Sequence, residues 1–321
     1  MSSQTLSLAE SITDATGRML AKYNVFQKVN WGRLGVISVP SIWLFVFFFL
    51  PFLVVFKISF AESEIAIPPY SDILNWDAED AYLSFKLSFA NYIFLFEDAL
   101  YLDAYWSSVK IAAVSTIITL IVGFPMAYLI ARSEPSKRSL LLMLVVVPFW
   151  TSFLLRIYAW MGFLNKNGLI NQALMAVGII DEPLIMMQTD FAVYIGIVYA
   201  YLPLMILPLY TALEKMDITL LEAASDLGAT PTQSFMRITL PLAVPGIVAG
   251  CMLVFIPAVG EFVIPSLLGG SDTLMIGRVL WDEFFQNRDW PMAAAVATVM
   301  LVLLLLPIML ISDGQEKKEE A

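Results

Sequence analysis

Two ionisable side chains in this sequence stand where charge is expensive. Glu261 lies in Phe255-Ile-Pro-Ala-Val-Gly-Glu-Phe-Val-Ile-Pro265, and Arg156 in Pro148-Phe-Trp-Thr-Ser-Phe-Leu-Leu-Arg-Ile-Tyr-Ala-Trp-Met-Gly162, both otherwise apolar. A charge at the centre of a membrane helix costs about 2.5–3.5 kcal/mol on insertion scales, so such a residue turns inward, pairs, or sits on a pathway. Gly260, Pro257 and Pro265 around Glu261 predict a broken helix, and irregular backbone at membrane depth is tolerated where it lines a cavity. Two readings stay open and can coexist. Glu261 attracts a cationic solute on a translocation path, with Trp150, Tyr199 and Tyr201 offering cation–π contacts, or Glu261 and Arg156 form a structural ion pair.

Other chemistry is sparse. Histidine is absent and Cys251 is the single cysteine, which removes His-dependent triads, H-E-x-x-H zinc chemistry and any disulfide framework. A membrane-embedded enzyme would need a nucleophile, a metal cluster or a carboxylate pair, and Glu261 is the one carboxylate expected inside a span.

A second constellation lies in the polar connection 214–241. Asp217 is a suitable N-cap for a short helix over Ile218–Leu227, and Gly228 suits its C′ position. Thr230 then caps a second helix, with Pro231 in its first turn and Gln233 completing a capping box; Pro241 is expected to end it. Ala223, Ala224 and Gly228 are small enough to let another protein approach. Glu222 and Asp226, four residues apart, share a helical face and suit basic groups on that partner. The pattern fits a rigid knob that transmits force, or a merely well-capped loop.

The elements that must position these residues are membrane helices. Hydrophobic residues make up 59% of the 321 and charged ones 14%, and mean hydropathy is +0.78, against roughly half apolar and a quarter charged in soluble domains. The apolar residues collect into blocks of the length a helix needs to cross about 30 Å of hydrocarbon. Six spans are expected, at Leu34–Phe56, Val109–Ile130, Leu140–Leu164, Phe191–Leu213, Val244–Leu267 and Met292–Ile311. The fold class is therefore all-α, a polytopic membrane protein. Residues 1–33 form a cytoplasmic N-terminal segment, 34–311 the transmembrane domain and 312–321 a cytoplasmic tail. Arg132, Lys137 and Arg138 in one short connection, and Arg18, Lys22, Lys28 and Arg33 before the first span, place both termini in the cytoplasm by the positive-inside rule. The opposite connections, 61–106, 165–190 and 268–291, carry sixteen acidic residues against four basic ones. They are either solvated loops or an electrostatic funnel for a cation. Leu8, Ile12, Ala15, Met19, Tyr23 and Phe26 recur at helical spacing and suggest an amphipathic helix on the inner membrane surface.

Glu222-Ala223-Ala224, three residues, Gly228, nine residues, then Ile238-Thr-Leu-Pro241 resembles the "EAA" loop of ABC importer permeases at every signature position. The two stretches around Arg156 and Glu261, together with Gly277-Arg-Val-Leu-Trp-Asp-Glu-Phe-Phe-Gln-Asn-Arg-Asp-Trp-Pro291, resemble putrescine/spermidine permeases, and the likeness runs from about Leu34 to Ile311. The resemblance implies a type I importer permease in a bacterial inner membrane, moving a polyamine by alternating access. It makes Glu222, Ala223, Ala224 and Gly228 the residues that dock into a cytoplasmic ATPase. It also implies two ATPase subunits, a second and non-identical permease, and a periplasmic binding protein. No nucleic acid is implied, and no cofactor on this chain, since ATP and magnesium belong to the ATPase. In agreement, no lysine follows a glycine, so the Gly-Lys pair of a Walker A loop must be supplied by another protein. A secondary transporter would show paired inverted repeats with broken helices in both halves, and would leave the loop at 214–241 unexplained.

Overall fold

Long apolar stretches take up helix because hydrocarbon leaves the backbone no other partner, and the short polar stretches between them supply the caps. The computed structural model describes residues 31–77 and 82–319; the expected amphipathic segment at 8–26 lies outside them. The chain divides between Lys57 and Ile58 into two units. The first holds α1 (Trp31–Leu44), which runs through a π-helical turn (Phe45–Phe49) into α2 (Leu50–Ile58), of which all but the last residue belong to this unit.

The second unit opens with a short antiparallel pair, β1 (Leu74–Asp77) and β2 (Tyr82–Phe85), with Leu74 opposite Phe85. This is a small departure from an otherwise helical chain. Then come α3 (Ala90–Glu97), α4 (Ala99–Arg132), α5 (Pro135–Val146), α6 (Phe153–Leu164), α7 (Leu169–Ala176) and α8 (Asp190–Glu214). The rest comprises α9 (Thr219–Asp226), α10 (Pro231–Ser234), α11 (Leu240–Val259), α12 (Val263–Leu268), α13 (Ile276–Asp282) and α14 (Trp290–Glu319). Asp98 and Thr189 cap α4 and α8 by accepting backbone N–H groups of Leu100 and Ala192.

Among the described residues four helical stretches are long and apolar enough to cross a bilayer: Gly35–Ile58, Ala99–Arg132, Asp190–Glu214 and Pro231–Val259. The expected third span is not one straight helix. It bends by 90° between Trp150 and Phe153, because Pro148 interrupts the ladder and Thr151 turns extended, its hydroxyl donating back to the Pro148 carbonyl at 2.7 Å. The expected sixth span, Met292–Ile311, falls in α14, which runs on as helix from Trp290 to Glu319.

The centre of the second unit is the packing of α4, α8 and α11. Without a hydrophobic drive between helices in lipid, small residues let backbones approach. A Cβ on Gly250 would lie 2.7 Å from Met205 Sδ, and one on Gly246 2.7 Å from the Ala212 Cβ. Ile206, Leu209, Leu213, Ala243 and Val254 are buried around that crossing. A second cluster, with Ile157, Ile197, Ala258, Ile264 and Leu268, packs α6 and α12 against α8. The break that carries Glu261 is flanked by Ala258, Val259 and Ile264 of this second cluster.

Candidate functional site

The polar connection after α8 folds as its punctuation requires. The Thr219 N–H donates to Asp217 Oδ1 at 3.0 Å, and this bond holds the Asp217 carboxyl below the ordinary carboxylate range. At the other end of α9, Gly228 has φ +79°, the left-handed conformation that glycine adopts without penalty. The Gly228 N–H donates to the Ser225 carbonyl and the Ala229 N–H to the Ala224 carbonyl, each at 2.9 Å, which is a complete Schellman ending. Thr230 and Gln233 then close the capping box, Gln233 N–H to Thr230 Oγ1 at 3.3 Å and Thr230 N–H to Gln233 Oε1 at 2.9 Å. Glu222, Ala223 and Gly228 are exposed, Ala224 is half-buried, and Leu227 beside them is 88% exposed.

One expectation for this loop is overturned. Pro241 does not end the second helix, which passes through a π-helical turn (Phe235–Thr239) straight into α11. The Leu240 N–H reaches back five residues to the Phe235 carbonyl. That wider turn absorbs the extra residue just before Pro241, which has no N–H to give. The loop is therefore joined without a break to a membrane-length helix, Pro231–Val259. Phe235 also packs edge-on against Phe124 of α4, ring centres 5.6 Å apart. At the root of the loop, a groove of about 640 Å³ opens between α8 and α11, lined by Pro208, Lys215, Leu220 and Pro245 among others. Arg138 reaches Glu214 at 3.3 Å.

Glu261 sits at the expected helix break. α11 ends at Val259, Gly260 and Glu261 leave the helix, and α12 begins at Val263. The side chain is 7% exposed. Its Oε1 accepts the backbone N–H groups of Val263 (3.0 Å) and Ile264 (3.3 Å). It thus neutralises the unpaired donors at the start of α12 and favours the positive end of that helix. Its Oε2 accepts the Tyr201 hydroxyl. Gly277 of α13 presses on this break: a Cβ there would fall 2.4 Å from the Gly260 carbonyl oxygen.

Of the residues singled out with Glu261, only Tyr201 meets it. No ion pair joins Arg156 and Glu261. The Arg156 guanidinium instead lies over Phe149 and Phe153, 5.2 and 5.7 Å from their ring centres, with Nε buried and unbonded. Trp150 is 87% exposed at the bend. Tyr199 packs against Trp160 at 5.5 Å and lines an apolar cavity of about 350 Å³. It is two residues from Tyr201, about 200° around a helix that turns 100° per residue, so the two rings face different neighbours.

The family model for "binding-protein-dependent transport system inner membrane component" matches residues 112–316, which include the capped loop and the Glu261 break. The chain belongs to this family. It is 42% identical over 285 residues to the spermidine/putrescine transport system permease protein PotB of Haemophilus influenzae, covering 89% of this chain and 92% of the relative. It is 41% identical to PotB of Escherichia coli, covering 87% and 97%. A chain in the crystal structure of a bacterial ABC transporter involved in the import of the acidic polysaccharide alginate superposes with TM-score 0.65, covering 94% of this chain and 99% of that one. At 17% identity that likeness shows the fold. The chain is thus an inner-membrane permease component of an ABC importer, and not an enzyme.

Three features of this permease escaped sequence reasoning. The capping role of Glu261 had a local signal, a carboxylate two residues before an apolar run that ends at Gly269. The choice of Tyr201 over Tyr199 had none, since it depends on the rotation of α8 about its axis. The Gly277 contact with Gly260 joins residues seventeen apart and follows from the fold of the 269–275 connection.

Proposed function

We propose that this permease carries a polyamine into the cytoplasm, putrescine ahead of spermidine, as one half of a pore completed by a second, non-identical permease. The 42% identity to a spermidine/putrescine permease over 89% of the chain carries the reading. Supporting it are the acidic connections assigned to the outer face and a buried carboxylate at a helix break, both suited to an organic dication. A periplasmic binding protein delivers the solute. Two cytoplasmic ATPases close on ATP, and the exposed loop residues Glu222, Ala223, Ala224 and Gly228 dock into one of them. Since the loop continues without interruption into α11, its displacement is passed to the helix that ends two residues before Glu261. Six spans with both termini inside complete this arrangement.

The test is uptake of labelled putrescine by cells lacking the chain, with and without its re-expression, with unlabelled spermidine as competitor. Saturable uptake restored by the chain is expected. No restored uptake, with binding protein, partner permease and ATPase all confirmed present, refutes the polyamine assignment; stronger inhibition by spermidine than by putrescine itself reverses the order of preference.

A further inference from the structure

We infer that the Tyr201 hydroxyl holds the place of the substrate ammonium, and that its bond to Glu261 is a latch reporting occupancy to the ATPase-docking loop. This rests on the polyamine reading above and adds to it a role for Tyr201 as a positioning residue. The two oxygens of Glu261 are held differently. Oε1 is tied to the Val263 and Ile264 N–H groups, which leave only if the first turn of α12 unwinds. Oε2 is held by one side-chain hydroxyl, whose bond breaks when its proton turns about the C–O torsion alone. A primary ammonium brings full charge and three donors, and charge-assisted bonds to a carboxylate are about twice as strong as those from a neutral donor. Exchange at Oε2 therefore trades a neutral donor for a charged one and leaves the two bonds to the α12 backbone in place.

The positions of the two partners give this exchange a reach beyond the site. Tyr201 belongs to α8, which runs unbroken to Glu214, and the docking loop begins immediately after it. Glu261 follows the helical stretch that begins at Pro231, immediately after the loop. The latch thus joins the two arms from which the loop is suspended. Tyr201 also packs against both buried clusters of the second unit, so its ring is fixed while its hydroxyl remains exchangeable. Substrate that takes Oε2 releases the arms from each other, and the loop gains freedom to follow ATPase closure.

The experiment uses the complete transporter in liposomes, measuring ATP hydrolysis with and without binding protein loaded with putrescine or spermidine. Tyr201→Phe keeps the ring and removes the hydroxyl. Loss of one bond to a charged group shifts a two-state balance by about tenfold or more. Substrate-free hydrolysis is expected to rise about tenfold, the stimulation ratio to fall correspondingly, and the KM for uptake to drop. Tyr194→Phe on the same helix leaves all three unchanged. If Tyr201→Phe does not assemble, Glu261→Gln supplies the comparison: it weakens the same bond and raises substrate-free hydrolysis in the same direction. An unchanged substrate-free rate and ratio in assembled Tyr201→Phe overturns the latch. If neither polyamine stimulates the wild-type transporter, the polyamine reading fails, and the substrate-free rates still decide the latch.

Discussion

Gly228 separates the strain of a turn from the surface it presents. Its φ of +79° lies in the left-handed region, and a Cβ built there meets nothing within 4 Å of its own chain. Within this chain, replacement by any ordinary residue therefore carries only the backbone penalty, roughly 1–2 kcal/mol. Asparagine, which tolerates that conformation, incurs less. Gly228→Ala and Gly228→Arg share this penalty, but only arginine extends a long cation from an exposed position beside Glu222 and Ala223. If the loop seats in an ATPase groove, the ranking follows directly. Gly228→Asn retains near-normal uptake, and Gly228→Ala loses a few-fold, as a penalty of about 1 kcal/mol implies. Gly228→Arg loses both uptake and co-purification of the ATPase. The assay is ATPase recovered on affinity-tagged permease, normalised to permease in the membrane, beside labelled uptake. Alanine and arginine behaving alike would refute the reasoning. Both mild would mean that nothing docks at Gly228, and both severe that turn geometry matters rather than the surface.

Three further outcomes are expected. Glu261→Gln keeps an acceptor for the Val263 and Ile264 N–H groups but removes the charge; the permease should reach the membrane in normal amount while uptake falls at least tenfold, and normal uptake with unchanged KM would remove Glu261 from the path. Gly250→Val drives side-chain atoms into Met205, whose Sδ would already lie 2.7 Å from a Cβ; detergent-solubilised permease should lose thermal stability by several degrees in a melting assay, and an unchanged midpoint would contradict the tight α8–α11 crossing. Thr230→Ala removes one half of the capping box, a change of about 0.5–2 kcal/mol; hydrogen exchange in residues 231–234 should accelerate without loss of membrane expression, and unaltered exchange would show that Pro231 alone holds the turn.

Local chemistry was enough to read the geometry of the loop between α8 and α11. Asp217, Gly228, Thr230, Pro231 and Gln233 each act on backbone groups within a few residues, so their spacing sets the geometry before any tertiary contact forms. The apolar blocks were legible for the same reason, because backbone satisfaction in hydrocarbon is a property of each segment alone. So was the break at Glu261, where Pro257, Gly260 and Pro265 act on their own helix. Membership of the importer permease family was equally legible, since it rests on residues in fixed sequential order. What only the tertiary structure decided was which side chains meet. Arg156 turns to Phe149 and Phe153 because a 90° bend, set by Pro148 and Thr151, redirects its helix. Pro241 fails to stop its helix because a π turn upstream makes room for it. Tyr201 rather than Tyr199 reaches Glu261 because α8 packs on α11 through Gly246 and Gly250, and that packing fixes the rotation of α8. Composition and local spacing carry no information about such a rotation, which is selected by the joint packing of three helices distant in sequence.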